Sequence, residues 1–525
     1  MTAAALPMSV APDRYKFKYL IAITVSLASV LELLDTSIVN VAIPHMMGNL
    51  GATLDQIAWV STGYIVANVI VLPITGWLSA YFGRRRYFAG SIALFTLASF
   101  MCGNAHSLTA LVAWRIIQGL GGGALLSTSQ AILYEEFPRE EFGTAMAIFG
   151  VGVMVGPTLG PTVGGWITDT YGWPWIFYIN IPFGMLALAL TLTFITDSLH
   201  QARADKVDWL GLGLLALGIG CLQTMLERGE RLDWFSSGSV RLLGITSALS
   251  LITFFWHELR TDHPVVDLRI LKSRQLAIGV VFGMVLGVCL YATVFVLPVY
   301  LQNIRHFTAN QTGLVILPGA LASAFTMAFM GRLQSKFDAR LSIAAGVGIF
   351  ALAMWKHAHF TTESGFHDFF WPLIFRGVGL GLIFVPLTNL ALADLPMAKI
   401  PNGTGLFNLM RQLGGSVGIA LSATLVQRFT AIHRADLMAS VTPYSEVTRE
   451  RLGQITNALV ARGDVPAIAQ TKALGVLNGI VTQQAMMLSF EQLFLMFGGV
   501  FVLSLLLLPL MHRGRSGPGG GAAAH

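Results

Sequence analysis

Two carboxylates stand inside the first long apolar run of the sequence, Glu32 and Asp35. They are three positions apart, so a helix places both on one face. A charged side chain at mid-bilayer costs about 2.5–3.5 kcal/mol on insertion scales, and such residues commonly mark proton or substrate pathways. We therefore predict that Asp35, with Glu32 beside it, carries protons. The alternative is that Asp35 only orients helices by pairing with an arginine or with backbone groups.

A guanidinium in the fourth apolar run is the natural counter-charge for these carboxylates. Arg115 stays charged in proteins and must find a carboxylate, a carbonyl or water. We expect it to pair with Asp35 or Glu32, so that the three residues form one proton-coupling group. Other polar side chains within the runs are predicted to line a cavity between helices: Asn40, Gln118, Asn408, Arg411 and Gln412. For Arg411, as for Arg376, the alternative is a role in anchoring one helix to another.

Small residues recur in the fifth apolar run at intervals of four, at Gly152, Gly156, Gly160 and Gly164. Glycines at this spacing let two helix backbones approach closely. Gly165 and the prolines Pro157 and Pro161 accompany them, and proline bends a helix. The pattern predicts a tight, bending interface with another helix.

The elements that position these residues are membrane spans. Of the 525 residues, 54% are hydrophobic and 11% are charged, whereas a soluble domain carries about 25% charged residues. Fourteen apolar runs have the length of about 20 residues that crosses a bilayer, the first at 19–43 and the last at 487–511. The sequence thus predicts an all-α integral membrane protein. Cys102, Cys221 and Cys289 lie in apolar runs and are predicted to be core residues.

Basic residues set the predicted orientation. Arg14, Lys16 and Lys18 precede the first run, no signal-peptide cleavage site follows, and the first helix is therefore expected to be retained. Lys and Arg concentrate in alternate short loops, which places both termini in the cytoplasm. The polar segment 431–484 falls on the outer side, with helices expected to begin near Ser445 and near 464–466. It would be either a lid or a docking surface for a partner.

A faint internal repeat predicts two related halves. Gly76 and the arginines that follow it recur at 331–340, and Arg115 with its glycines recurs at Arg376. Two six-helix bundles with two inserted helices would produce this spacing. The predicted segments are a cytoplasmic tail at 1–18, a six-helix bundle at 19–200, two inserted helices at 201–260, a second bundle at 261–515, and a disordered tail at 516–525.

At these motifs the sequence resembles the fourteen-helix drug:proton antiporters of the major facilitator superfamily. The stretch 34–44 resembles the acidic signature of their first helix. Arg115 with Gln118 resembles the arginine motif that the family links to proton transfer. The glycine run resembles the antiporter motif, which is associated with export. Gly76, Gly83, Arg84 and Arg85 resemble the cytoplasmic loop motif, which gates by pairing charges across the halves. Ala80 stands where that motif usually has an acid, so the charge relay would be weakened or routed elsewhere.

The stretches 173–182 and 226–235 resemble the EmrB branch of that group. This resemblance implies the inner-membrane subunit of a tripartite exporter in bacteria, which works with a periplasmic membrane-fusion adaptor and an outer-membrane channel.

The predicted function is proton-coupled efflux of hydrophobic and amphipathic drugs, without a cofactor, a metal or nucleic acid. The first alternative is a proton symporter that imports a nutrient, which would need a specific polar constellation in its cavity. The second is a membrane-embedded enzyme, for which the sequence offers no clustered nucleophile or metal ligands. A non-transporting membrane protein would leave the intramembrane charges unexplained.

Overall fold

The computed structural model describes residues 17–138, 141–197, 207–262, 264–333 and 337–512. Within these ranges every regular element is a helix. The predicted tails fall almost wholly outside the described residues, including Arg14, Lys16 and the segment 516–525. The predicted junction between the first bundle and the inserted helices, at 200 and 201, also lies outside them.

The long helices are numbered here in chain order. They are α1 Lys18–Leu50, α2 Trp59–Phe82, α3 Arg84–Gly103, α4 Leu108–Glu136, α5 Phe142–Tyr171, α6 Trp175–Phe194, α7 Trp209–Arg228, α8 Gly238–Glu258, α9 Arg274–Asn303, α10 Ala309–Leu333, α11 Ala339–His357, α12 Phe366–Leu392, α13 Ile400–Ser440, α14 Glu446–Ala461 and α15 Pro466–Leu503.

Each of the fourteen predicted runs coincides with one of these helices, α14 being the helix outside the set. Twelve helices of the described residues are long and apolar enough to cross a membrane on length and composition. The other two are α3 and α5, which have 20 and 30 residues. The mean hydropathy of α3 is lowered because it opens with three arginines, and α5 contains the apolar stretch Phe142–Val153. The predicted all-α, membrane-spanning class is confirmed.

Several helices run further than the sequence indicated. The first helix continues through Pro44 to Leu50 and ends at Gly51, whose φ of 60° lies in the left-handed region. The segment 431–484 is helical along nearly all of its length. It consists of the end of α13, the helix α14 and the start of α15.

The two expected helix starts in this segment are confirmed. The Ser445 side chain accepts a hydrogen bond from the Thr448 amide, 3.4 Å away, and caps α14. The helix α15 begins at Pro466, where the missing amide of proline costs no hydrogen bond. The helix α14 packs on α15.

The helices before residue 200 and those after 260 meet along a shared interface. In the first group α1 packs on α4, α5 and α6, and in the second α9 packs on α13 and α10 on α12. The two groups meet where α5 packs on α10 and where α13 packs on α2 and α4. The pair α7 and α8 pack on each other, and α7 also contacts α2 and α13. The exact limits of the two bundles and of the inserted pair stay predictions.

Candidate functional site

Asp35 is completely buried in α1 and is held by three donors. Its Oδ2 atom lies 2.5 Å from Nη1 of Arg115 on α4. Its Oδ1 atom accepts hydrogen bonds from Gln118 Nε2 at 3.0 Å and from Asn180 Nδ2 at 2.9 Å. A carboxylate bonded in this way has its charge compensated without water. The expected pairing of Arg115 with a carboxylate of the first helix is therefore confirmed, with Asp35 as the partner.

Arg115 reaches this position through its own set of contacts. Its Nε donates to the Val60 carbonyl at 3.1 Å, and Nη1 also donates to Gln118 Oε1 at 2.8 Å. The guanidinium carbon lies 4.1 Å from the centroid of the Tyr64 ring, which is a favourable cation–π distance. The side chain is 1% exposed. Protonation of Asp35 would remove the charge that compensates Arg115 and would loosen α1 from α4.

Glu32 lies one turn before Asp35 but has a different environment. Its Oε1 atom accepts a hydrogen bond from Asn68 Nδ2 at 2.8 Å. Its Oε2 atom is buried and has no hydrogen-bond partner among the described residues. Charge interactions reach Glu32 from Asp35 on its own helix and from Arg411 on α13. Glu32 therefore faces the second group of helices, whereas Asp35 is enclosed within the first.

The glycine face of α5 packs directly against the part of α1 that carries these acids. A Cβ atom on Gly156 would lie 2.8 Å from Leu33 Cβ and 3.0 Å from the Leu34 amide nitrogen. A Cβ on Gly164 would lie 2.6 Å from Ile38 Cγ1. The predicted tight interface is confirmed, with α1 as its partner.

The other glycines of the motif also face α1. Gly152 approaches Val30, Gly160 approaches Ser37 and Gly165 approaches Val41. Pro157 and Pro161 both lie inside α5, which continues past them. The motif therefore controls how closely the acidic segment of α1 can lie to α5.

We predict that Gly156→Ala lowers both stability and transport. The added methyl would meet backbone and Cβ atoms of α1, and overpacking of this kind costs about 1–3 kcal/mol. Gly165→Ala is the matched control, because the nearest atom to its added Cβ is Val41 Cγ1 at 3.7 Å, an ordinary contact. Melting temperature in detergent and cargo export would be measured for both variants. Equal effects of the two substitutions would contradict the close packing at Gly156.

The predicted cavity residues of α13 divide into two groups. Asn408 is buried and donates to Gln130 Oε1 at 2.6 Å and to Ser127 Oγ at 3.2 Å, both on α4. Arg411 is buried beside Asn408. Gln412 is half-buried and accepts a hydrogen bond of 3.4 Å from the Tyr291 hydroxyl on α9. Asn408 and Arg411 therefore lie between the two helix groups, and Gln412 lies against α9.

The two predicted cavity residues of the first helix group lie apart from these. Gln118 belongs to the Asp35 cluster described above. Asn40 is exposed and accepts a hydrogen bond from Ser61 at 3.2 Å, so it lies outside the buried cluster. The roles of these residues in binding cargo stay predictions.

The arginines of the predicted gate pair within the first helix group. Arg84 forms ion pairs with Glu135 and with Glu136 at the end of α4, the second at 3.2 Å. The backbone amide of Arg85 donates to Asp197 Oδ1 at 2.9 Å. These three acids hold the arginine loop to the end of α4 and to the segment after α6, and the charge relay itself stays a prediction.

The two helix groups lie in close contact at the end of the molecule that carries the loop with Arg84 and Arg85. A Cβ on Gly76 of α2 would lie 3.0 Å from the Asn402 amide nitrogen of α13. The Tyr134 hydroxyl on α4 lies 2.5 Å from Asn389 Oδ1 on α12. Gly83, between α2 and α3, has a φ of +86°, which favours glycine. The helix groups are thus in contact at the end that carries the arginine loop.

Several residues of the site were missed from the sequence. Asn180 binds Asp35, Asn68 binds Glu32, and Gln130 binds Asn408. Each is an amide side chain in an otherwise apolar run, and that signal was available. Which acid each amide would meet depends on helix rotation, which the pattern does not give.

Four further predictions concern three cysteines and one arginine of the apolar runs. Cys102 and Cys289 are buried as expected, while Cys221 is only half-buried, because α7 is covered on few sides. Arg376 is 7% exposed, and its Nε has no hydrogen-bond partner among the described residues. Arg376 thus repeats the sequence position of Arg115, but it forms no ion pair with a carboxylate in the described part of the chain.

Comparisons with known proteins agree with this architecture. The family model described as the Major Facilitator Superfamily matches residues 25–419. The chain is 34% identical over 502 residues to the fatty acid resistance protein FarB of Neisseria gonorrhoeae, across 95% of this chain and 97% of FarB. It is 33% identical over 504 residues to the multidrug export protein EmrB of Escherichia coli strain K12, across 96% and 97% of the two chains.

A third relative and one solved structure extend the comparison. The colistin resistance protein EmrB of Acinetobacter baumannii is 29% identical over 486 residues, across 92% of this chain and 94% of that protein. The crystal structure of the human organic anion transporter MFSD10 (TETRAN) matches with a TM-score of 0.60 and 13% identity, across 94% of this chain and 99% of that one. At that identity the similarity bears on the fold alone.

Proposed function

The chain belongs to the Major Facilitator Superfamily, and on that premise we propose that it is a proton-coupled efflux antiporter for hydrophobic and amphipathic compounds. The observation that carries the proposal is the buried pair of Asp35 and Arg115. Charged residues inside a membrane are costly and commonly mark transport pathways, and this pair joins two helices of the first group. The relatives named for multidrug export, colistin resistance and fatty acid resistance support amphipathic cargo.

The exchange cycle uses Asp35 as the proton carrier and Arg115 as its counter-charge. A proton on Asp35 neutralises the carboxylate and weakens its bond to Arg115, so α1 and α4 can shift. Cargo binds the deprotonated form more tightly than the protonated form, and this difference in affinity couples cargo movement to proton movement. Glu32 is the second acid of this group, since it faces α13 and the cargo space. The two helix groups then rock to open the site alternately to each side.

The gate of this cycle lies at the arginine-rich end. Close contact of Gly76 with Asn402 supports closure there, and the ion pairs of Arg84 keep α3 fixed to α4. The glycine face of α5 also supports export. It lets α1 lie close to α5, and it carries no side chains that would interlock the two helices.

We also propose a location and partners for the transporter. It would lie in the bacterial inner membrane with both termini in the cytoplasm, as the distribution of basic residues favours. The similarity to the EmrB proteins supports a place in a tripartite exporter with a periplasmic adaptor and an outer-membrane channel. The helices at 431–484 would then stand on the periplasmic side, within reach of the adaptor.

The function is tested with wild-type protein in inverted membrane vesicles. Their acidic interior mimics the outside of the cell, so an antiporter would move a cationic dye such as ethidium inward and accumulate it. Collapse of the pH gradient should release the dye. A proton symporter that imports its substrate would not concentrate it in such vesicles. Absence of gradient-dependent accumulation for cationic, neutral and anionic cargo would refute the proposed function.

A further inference from the structure

Arg411 is a buried cation with unused hydrogen-bond donors. Its side chain is 1% exposed. Nη2 donates to Asn408 Oδ1 at 3.1 Å, but Nε and Nη1 are buried and have no hydrogen-bond partner among the described residues. Buried polar groups are almost always satisfied, and a buried charge without a partner is the costlier case. The open donors therefore need an explanation.

The neighbouring acid does not supply that partner. Glu32 interacts with Arg411 by charge across the two helix groups. However, the two side chains form no ion pair, and Glu32 Oε2 is itself without a hydrogen-bond partner among the described residues. Glu32 and Arg411 thus both have buried polar atoms without a hydrogen-bond partner among the described residues. The contrast with Arg115, whose Nε and Nη1 both have partners, is clear.

The rest of the contacts hold Arg411 in place without closing off its donors. Asn408 is anchored to α4 by Gln130 and Ser127, so the amide that receives Nη2 is fixed. On another side, the guanidinium carbon lies 5.6 Å from the centroid of the Phe384 ring on α12. An aromatic surface beside a fixed guanidinium suits a molecule with an apolar body and an acidic head.

We propose that Arg411 binds the acidic headgroup of anionic amphiphiles and determines the charge selectivity of the carrier. This inference rests on the proposed function, since it names one class of cargo for that transporter. The headgroup is a carboxylate or sulfonate that accepts hydrogen bonds from Nε and Nη1. Charge-assisted hydrogen bonds of this kind are the stronger class in proteins. Cationic cargo does not use Arg411 and is repelled by it.

The experiment compares two cargos of equal chain length and opposite fixed charge, decanesulfonate and decyltrimethylammonium. Neither can carry a proton across the membrane by itself. In Arg411→Gln, gradient-driven accumulation of decanesulfonate should fall at least about tenfold, the loss expected for one charge-assisted hydrogen bond. Accumulation of decyltrimethylammonium should stay the same or rise. Arg411→Lys keeps the charge and should retain part of the decanesulfonate transport.

A structural role for Arg411 would give a different pattern. Thr404→Ala serves as the control, because it removes a tie between α13 and α4, the hydrogen bond of 3.3 Å from Thr404 Oγ1 to the Ser127 carbonyl, without touching Arg411, and it should affect both cargos alike. If Arg411→Gln also lowers both cargos equally, or leaves decanesulfonate transport intact, the assignment is overturned. Melting temperatures show whether each variant is folded.

Binding measurements separate this inference from the proposed function. Equilibrium binding of labelled decanesulfonate to the purified protein in detergent needs no proton gradient. Binding that depends on Arg411 would support the inference even if no proton exchange were found. Binding that is unchanged in Arg411→Gln would overturn it even if proton-driven efflux were established.

Discussion

Replacing Asp35 with asparagine should abolish concentrative export while leaving passive exchange of cargo intact. Asparagine has nearly the shape of aspartate and can still accept hydrogen bonds from Gln118 and Asn180, but it cannot take up or release a proton. In inverted vesicles with an imposed pH gradient, accumulation in Asp35→Asn should fall to the level of vesicles that lack the protein. Exchange of labelled for unlabelled cargo, without a gradient, should continue because it needs no proton.

The control for this variant is Asp169→Asn, which makes the same chemical change at the end of α5. The side chain of Asp169 is 74% exposed, and it forms an ion pair with His45 at 3.8 Å. Accumulation should be close to that of the wild type. Normal accumulation by Asp35→Asn would show that Asp35 has a structural role, and Glu32→Gln would then be the next variant. Loss of both accumulation and exchange would indicate a carrier that cannot move between its states.

Replacing Arg115 with glutamine should produce the largest loss of stability. Asp35 is completely buried, and without its cation it remains an uncompensated charge. Breaking a buried ion pair by removing one partner costs about 3–5 kcal/mol. The double variant Asp35→Asn with Arg115→Gln should be less destabilised than the sum of the single variants, because neither charge is then left alone. Melting temperatures of the four proteins in one detergent give this cycle.

Arg376 provides the matched control for this cycle. The predicted sequence repeat aligns it with Arg115, and it is buried, but among the described residues no carboxylate lies within ion-pair distance of it. Arg376→Gln removes a charge without leaving an opposite charge unpaired, so it should be far less destabilising than Arg115→Gln. Equal destabilisation by the two variants would contradict the inference that the lost stability of Arg115→Gln comes from the unpaired charge of Asp35.

The pairing at the centre of the site could be predicted because charges in an apolar run must be compensated. Which acid would pair with Arg115 could not, since Glu32 and Asp35 are only about 60° apart around the helix axis. Their different partners come from the rotation of α1 against its neighbours. That rotation is set by the approach of Gly156 to Leu33, a contact between residues far apart in the sequence.

Other features lay beyond local sequence patterns. The glycines of α5 indicated a close helix contact, but identifying α1 as the partner required the fold. Hydropathy located the spans, yet it could not show that α13 continues to Ser440, because polar residues outside the membrane fit a helix as well as a loop. The unused donors of Arg411 could only be seen once its neighbours were in place.

The most direct test of proton antiport is to measure protons released when cargo binds. Purified wild-type protein in weakly buffered detergent solution would be titrated with decyltrimethylammonium while the pH of the solution is followed. If cargo and proton compete through Asp35, the wild type releases protons on binding and Asp35→Asn binds the cargo without releasing them. Cargo binding to the wild type with no proton release, or equal release by the variant, would contradict proton exchange at Asp35.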